Sequence, residues 1–391
     1  KTKQNKTNRG MGMVNNKLKR RAFMQGIGAG TIAASLAGCA TSSNKTPTNR
    51  VFQRPFSRKP MVAPKISANN IVTEIVGHRP YRPEGFVVKS EAFGNKTLVH
   101  NYGHGGGGIS LSWGSSALAV NEVANVETKE AAIIGSGVMG LTTARLLQEA
   151  GWKVTLYTKA MPRFTTSQVA GGEWGPYSVH DPLISSSVFK TQLQQAAKIA
   201  HSTFAKMVGK DYGIQWKELY TAGNKKPESE GGFRQYYPYT KVYGPEQHPF
   251  PTDYCTSSAT MLVETTTFLR RLVTDIRLSG GEFVIHEFTS QDDIHSLAEP
   301  IVFNCTGLGS RALFNDEGIM PAKGQLVLLP PDPAVDYLTV GGGSDVLYMF
   351  SRNDYMILGG TFKLNDWTTE PDPIETARII SESQAFFSSI T

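Results

Sequence analysis

Acidic side chains are missing from the first 63 positions, which carry 13 Lys and Arg and no Asp or Glu. The other 328 residues hold 27 basic and 33 acidic groups, a balance of −6. The net charge of +7 therefore belongs to the opening segment, and a nucleic-acid-binding role is not expected. Cysteine is scarce, with three in 391 residues, which excludes a disulfide-stapled scaffold. Cys255 and Cys305 are expected as unpaired thiols. No C-x-x-C or H-E-x-x-H spacing suggests a metal. Phe23–Ala37 is apolar and small but too short for a transmembrane helix. No internal repeat is found.

The opening has three parts: basic Lys17–Arg21, apolar Phe23–Ala37, and Leu36-Ala37-Gly38-Cys39. The last resembles a bacterial lipobox, in which the Cys39 thiol is lipidated and becomes the mature N-terminus. Lys19-Arg20-Arg21-Ala22-Phe23-Met24 resembles a twin-arginine export signal, a route that carries folded proteins. Residues 1–39 are thus expected to be an export signal. Residues 40–63, rich in Ser, Thr, Asn, Pro and Arg, are expected to be a flexible tether. The expected location is a periplasmic or extracellular membrane face, reached as an exported lipoprotein. Residues before Met11 or Met13 fit upstream translation as well as native protein.

Ala131–Ile134 reads as a buried parallel strand, followed by Gly135, Gly137 and Gly140 at G-x-G-x-x-G spacing. A helical pattern runs from Leu141 to Ala150, Gly151 stops it, and a second strand covers Lys153–Tyr157. This is the context a dinucleotide fingerprint requires. Gly135 allows the tight turn, Gly137 lets the backbone approach a pyrophosphate, and Gly140 lets helix and strand pack closely. The helix N-terminus then offers free N–H groups and a positive dipole end to the anion. The acid that should end the second strand is absent, since the chain reads Tyr157-Thr158-Lys159. Either Thr158 or Lys159 serves the ribose differently, or the ligand carries an extra phosphate there.

Other stretches add chemistry. In His78-Arg79-Pro80-Tyr81-Arg82-Pro83 the prolines fix an extended path and hold two arginines, each a carboxylate clamp or a surface ion pair. Gly103–Gly108 holds five glycines in six residues before a helix from about Ser112 to Val123, a further place for backbone N–H groups to meet an anion or ring. Val123–Lys129 reads as a polar connector. Phe189–Val208 and Thr265–Leu278 read as helices, and Tyr212–Pro251 as irregular. Glu282–Glu287, Ile301–Asn304, Gly324–Leu329, Val346–Phe350 and Tyr355–Leu358 read as strands. Pro373–Phe387 is a helix with proline in its first turn.

Taken together, the stretches resemble the FAD-dependent D-amino-acid oxidase family. The carrying motifs are I-I-G-S-G-V-M-G-L from Ile133, T-T-S-Q-V-A-G-G-E-W from Thr165 and N-C-T-G-L-G-S from Asn304. Lys323-Gly324-Gln325 and L-G-G-T-F from Leu358 join them, as do H-R-P-Y-R-P from His78 and N-Y-G-H-G-G-G-G from Asn101. The last two close the family's sequence but here precede the fingerprint. That order implies a circular permutation, with the usual order recovered by reading about 128–391 and then about 64–125.

The implied fold is α/β. A Rossmann-type FAD-binding domain would comprise residues 80–177 and 261–335. A substrate domain on a mixed or antiparallel sheet would comprise 64–79, 178–260 and 336–391. The resemblance further implies that Gly135, Ser136, Gly137, Val138, Met139, Gly140, Thr165, Thr166 and Ser167 hold the pyrophosphate segment. Gly171, Gly172, Thr306 and Gly307 would lie near the cofactor. Gly105, Gly106, Gly107, Gly108, Ile109 and Ser110 would contact the flavin ring through their backbone. Arg79 would clamp a substrate carboxylate, Tyr348 would hydrogen-bond it, and the Gly106 carbonyl would receive the amino group. A second family tyrosine falls on Ser344, and the family's usual acid on Lys159.

The implied reaction takes a hydride from Cα of a D-amino acid to flavin N5. The imino acid hydrolyses to a 2-oxo acid and ammonia, and molecular oxygen accepts the electrons as hydrogen peroxide. Two other readings are a membrane-anchored dehydrogenase passing electrons to a carrier and a flavin-binding protein without turnover.

Overall fold

The computed structural model describes residues 54–57, 59–228 and 232–390. Lys17–Arg21, Phe23–Ala37 and Cys39 lie outside them. The chain first lays down β1 (Thr73–Tyr81), then a hairpin of β2 (Val87–Phe93) and β3 (Lys96–Tyr102). Next come α1 (Gly108–Asn121), β4 (Glu130–Ile134), α2 (Val138–Glu149) and β5 (Lys153–Thr158). Short α3 (Thr166–Val169) and long α4 (Ser187–Met207) precede β6 (Ile214–Gly223), β7 (Lys241–Tyr243) and β8 (Tyr254–Val263). Then follow α5 (Thr265–Leu278), β9 (Glu282–Ile285), α6 (Gln291–His295), β10 (Ile301–Asn304) and α7 (Ser310–Leu313). The last elements are β11 (Met320–Leu329), β12 (Tyr337–Gly341), β13 (Tyr348–Ser351), β14 (Met356–Gly359), β15 (Lys363–Leu364) and α8 (Pro373–Phe387).

Two sheets result. The smaller has the order β2-β3-β10-β4-β5-β9 and is parallel from β3 to β9, with β2 an antiparallel edge. Ala131–Ile134 is wholly buried at its centre, as an unbroken apolar run in a central parallel strand should be. The larger runs β1-β11-β14-β13-β12-β6-β8-β7, with β15 on β11, and only its β12–β6 pair is parallel. Helix α1 packs between α2 and α4. A β-carbon on Gly114 would fall 1.8 Å from the Ala196 carbonyl oxygen, so glycine is what lets α1 and α4 touch. Among the described residues no helix is long and apolar enough to cross a membrane.

Helices α5 and α8 have the boundaries read from sequence. Three expectations need correction. Strand β11 lay inside the expected FAD-binding segment 261–335, yet it pairs with β1 and β14 in the larger sheet. The irregular segment 212–251 contains β6, whose partners β8 and β12 lie far along the chain. The expected tether also ends early. Arg54 is 4% exposed and pairs with Glu218 at 2.8 Å, Met61 enters a core, and the Tyr337 hydroxyl donates to the Val62 carbonyl at 2.7 Å. Composition cannot show partners that distant in sequence. Cys255 and Cys305 are both free and buried.

Candidate active site

One cavity of about 1790 Å³ runs from the ends of β4, β5 and β10 to the inner face of the larger sheet. Gly135 makes the first turn with φ +108°, and a β-carbon there would fall 2.5 Å from the Cys305 carbonyl oxygen. Gly137 caps α2 in an extended conformation. Gly140 packs its bare Cα against the Gly135 carbonyl and faces protein rather than cavity. The Val138 amide donates to Ser167 Oγ at 3.0 Å, so a hydroxyl of α3 already satisfies one donor of the helix start. Ser136, Val138 and Met139 line the cavity.

Thr165 and Thr166 also line it, but their hydroxyls donate to the Pro162 and His78 carbonyls. At the far end Thr158 is held by Ser136 at 2.8 Å, and Lys159 pairs with Glu287 at 3.4 Å. The carboxylate absent from β5 thus stands opposite it, just past β9, where sequence reasoning did not place it. Thr306 is fixed by Asn304 Oδ1, which accepts from its amide and hydroxyl, and Gly307 follows on the cavity wall.

The second glycine loop forms a 3-10 turn, Gly105–Gly107, feeding α1. Gly105 has φ +53°, and the Gly106 amide donates to the Ser178 carbonyl at 3.0 Å. Gly105, Gly106, Gly108, Ile109 and Ser110 line the cavity, whereas Gly107 faces Val179 and Leu111. His104, just before the loop, is buried against Phe86 at 4.6 Å, and burial pulls its imidazole down to about 3. It is a neutral packing group.

The two arginines of the proline segment part company. Arg82 pairs with Asp316 at 2.8 Å and donates to the Gly85 carbonyl, which ties down the turn. Arg79 lines the cavity, donates to the Thr361 carbonyl at 3.0 Å and acts electrostatically on Tyr348, which lines the same cavity. Among the described residues no carboxylate pairs with it. Burial pushes the Tyr348 hydroxyl up and Arg79 pulls it down. The Tyr348 ring stacks on Phe350 at 4.6 Å, and Gly171 fits against Phe350. Gly172, with φ +89°, accepts no side chain because Val263 O lies 2.1 Å from its would-be β-carbon. Ser344 is outside the cavity, bonded to Glu382 of α8.

Sequence reasoning missed Glu173, Tyr177 and Tyr237. The Tyr177 hydroxyl donates to Tyr237 at 2.8 Å, and Thr260 Oγ1 donates to Glu173 Oε1 at 2.9 Å. Burial pushes the Glu173 carboxyl up to about 7, against the downward pull of Thr260 and Tyr237. An acid embedded in the T-T-S-Q-V-A-G-G-E-W motif was the available signal.

The family model described as FAD dependent oxidoreductase matches residues 130–391. The chain is 29% identical over 259 residues to a D-amino-acid oxidase of Streptomyces coelicolor, covering 66% of this chain and 77% of that protein. It is 29% identical over 266 residues to the D-aspartate oxidase of Homo sapiens, covering 66% and 75%. A solved glycine oxidase from Geobacillus kaustophilus superposes with a TM-score of 0.50 at 15% identity, covering 67% and 80%, a likeness of fold alone. The chain belongs to the FAD-dependent oxidoreductase family of D-amino-acid oxidases.

FAD is therefore the cofactor, and the residues present fit it. The cavity, at about 1790 Å³, is larger than a small-molecule pocket, and its β4–α2 end has the bare glycine turn and helix start that a pyrophosphate needs. Asn101 Oδ1, on the cavity wall, is buried without a hydrogen-bond partner among the described residues. The residues that would hold FAD are Gly135–Met139 and Ser167 at the phosphates, with Gly105, Gly106, Gly108, Ile109, Gly171 and Gly172 at the ring.

Proposed function

We propose that the protein oxidatively deaminates D-amino acids to 2-oxo acids and ammonia, with oxygen reduced to hydrogen peroxide. One observation carries the reading. Arg79 presents a cation with no carboxylate partner among the described residues, at the larger-sheet end of a cavity whose other end is a dinucleotide cradle. FAD supplies the hydride acceptor. Arg79 binds the α-carboxylate through its planar fork, and Tyr348 adds a hydrogen bond. The Gly106 carbonyl receives the neutral amine, which orients Cα. Phe350, Phe362 and the Tyr348 ring keep water from the reacting bond. The D configuration rests on the motif resemblance and on relatives that are D-amino-acid and D-aspartate oxidases.

The six-stranded sheet is read as the Rossmann-type FAD-binding layer and the larger sheet as the substrate layer. The motif order is read as a circular permutation. In support, the family match begins at residue 130, while β1 joins the larger sheet, β2 and β3 join the smaller, and α1 packs between α2 and α4. The stretch just before β1 also lies on α8, with Gln384 Nε2 donating to the Ile66 carbonyl at 3.0 Å. The lipobox at Cys39 supports a membrane-anchored, exported form. It also keeps open a second reading, a dehydrogenase that hands electrons to a membrane carrier.

The test is anaerobic. The FAD-loaded protein is mixed with D- and L-amino acids in turn, and the flavin spectrum is followed. Bleaching by D-isomers alone is the expected result. No bleaching by any D-amino acid would falsify the reading. Peroxide yield in air then separates oxidase from dehydrogenase.

A further inference from the structure

We propose that Glu173 makes this site select substrates whose side chain ends in an amine or guanidinium, its free carboxyl oxygen taking that cation while Arg79 holds the α-carboxylate. The inference rests on the amino-acid-oxidising reading above.

The two oxygens of Glu173 are used differently. Oε1 accepts from Thr260 Oγ1 at 2.9 Å and lies 3.3 Å from the Tyr237 hydroxyl. Oε2 has no hydrogen-bond partner among the described residues, and the side chain lines the cavity. Oε2 would be 2.7 Å from a β-carbon on Gly175, so the bare glycine leaves it room. No Lys, Arg or His among the described residues pairs with Glu173. A carboxylate removed from water without a cation is costly, and burial accordingly pushes this one up to about 7. A glutamine would accept the same two hydrogen bonds. What the acid adds is a charge, available on the cavity side, that no cation among the described residues pairs with.

Its position suits a substrate held at both ends. Gly171 abuts Phe350 beside Tyr348, whose hydroxyl Arg79 pulls down. Four residues past Glu173, the Tyr177 carbonyl lies against Gly106. The cavity-lining stretch from Gly171 to Tyr177 thus touches the Tyr348–Phe350 wall at one end and Gly106 at the other, and Glu173 belongs to it. Around Glu173 stand the hydroxyls of Tyr237 and Tyr177, both pushed up by burial, and Thr260. Arg234 also lines the cavity and acts on Tyr177 rather than on Glu173.

The experiment uses the FAD-loaded protein with 5-aminopentanoate and pentanoate at pH 8. Both carry the carboxylate and neither has an α-amine, so neither can be oxidised. Binding is read from the flavin spectrum and by calorimetry. A charge-assisted contact should make 5-aminopentanoate bind about tenfold more tightly. Glu173→Gln should bring the two ligands within about threefold of each other. Equal binding in the wild-type protein, tighter binding of glutarate, or a preference that survives Glu173→Gln overturns the proposal. The wild-type comparison decides even if the variant fails to fold. In turnover, D-lysine should exceed D-norleucine. If no D-amino acid bleaches the flavin while the Glu173-dependent preference persists, the oxidase reading falls and the cation subsite stands.

Discussion

Arg79 lies flat against Gly324, so close that a β-carbon there would fall 2.6 Å from both terminal guanidinium nitrogens. Antiparallel pairing of β1 with β11 creates this contact, with Arg79 opposite Ala322 and Gly77 opposite Gly324. Any larger residue at 324 must push the guanidinium aside. Gly324→Ala should therefore lower kcat/KM for D-amino acids by roughly ten- to a hundredfold, in the direction of Arg79→Ala. Steady-state kinetics check this, and the visible spectrum should show that bound FAD is retained. Unchanged kinetics in both variants would remove Arg79 from the site.

The turn before α2 has no slack either. A β-carbon on Gly140 would stand 1.9 Å from the Gly135 carbonyl oxygen, so Gly140→Ala must lift α2 from β4. The overpacking should cost about 1–3 kcal/mol in the apoprotein. The displaced Gly137–Val138 turn should also weaken FAD binding, so the rise in Tm on adding FAD should shrink. Thermal unfolding with and without FAD measures both.

Glu173 predicts a pH dependence of stability. Its carboxyl is raised to about 7 in the folded protein from an ordinary value of 4.5. Between those values the folded state binds more protons than the unfolded one, so stability falls as pH rises from about 4.5 through about 7. Glu173→Gln removes this contribution. The wild-type apoprotein should lose up to about 3 kcal/mol relative to the variant between pH 4 and 8. Urea unfolding of both proteins at the two pH values checks it; parallel pH profiles would contradict the buried, unpaired state of this acid.

Arg54 anchors the start of the described fold. It pairs with Glu218 and Asp336 and lies over the Tyr337 ring at 5.4 Å. Arg54→Met leaves Glu218 buried without its cation, at a cost of about 3–5 kcal/mol. The urea midpoint should fall accordingly. Adding Glu218→Gln should recover part of the loss, since the stranded charge is then gone.

Much of the FAD end is legible in the chain because its signals are local. The β4 strand, the glycine turn and α2 lie within 20 residues, and the backbone angle at Gly135 is a property of that residue type. The substrate end is less legible. Strand β6 depends on β8 and β12 for its hydrogen bonds, and an aromatic-rich run carries no signal for partners that far away. The proposed clamp is divided likewise. Both arginines of H-R-P-Y-R-P look equal in sequence, and it is Asp316, more than 200 residues on, that takes Arg82 and leaves Arg79 to the cavity.

The sequence alone determined the dinucleotide turn, the bounds of α5 and α8, and the motif set that marks the family, because helical periodicity and glycine conformation act over a few residues. Only the tertiary structure decided that Ser167 caps α2, that Ser344 turns to Glu382, and that Glu173 sits between Thr260 and Tyr237 with one oxygen left for the cavity. Each of those outcomes depends on which distant side chain arrives within hydrogen-bond reach, and sheet pairing and helix packing set that only once the whole chain has folded.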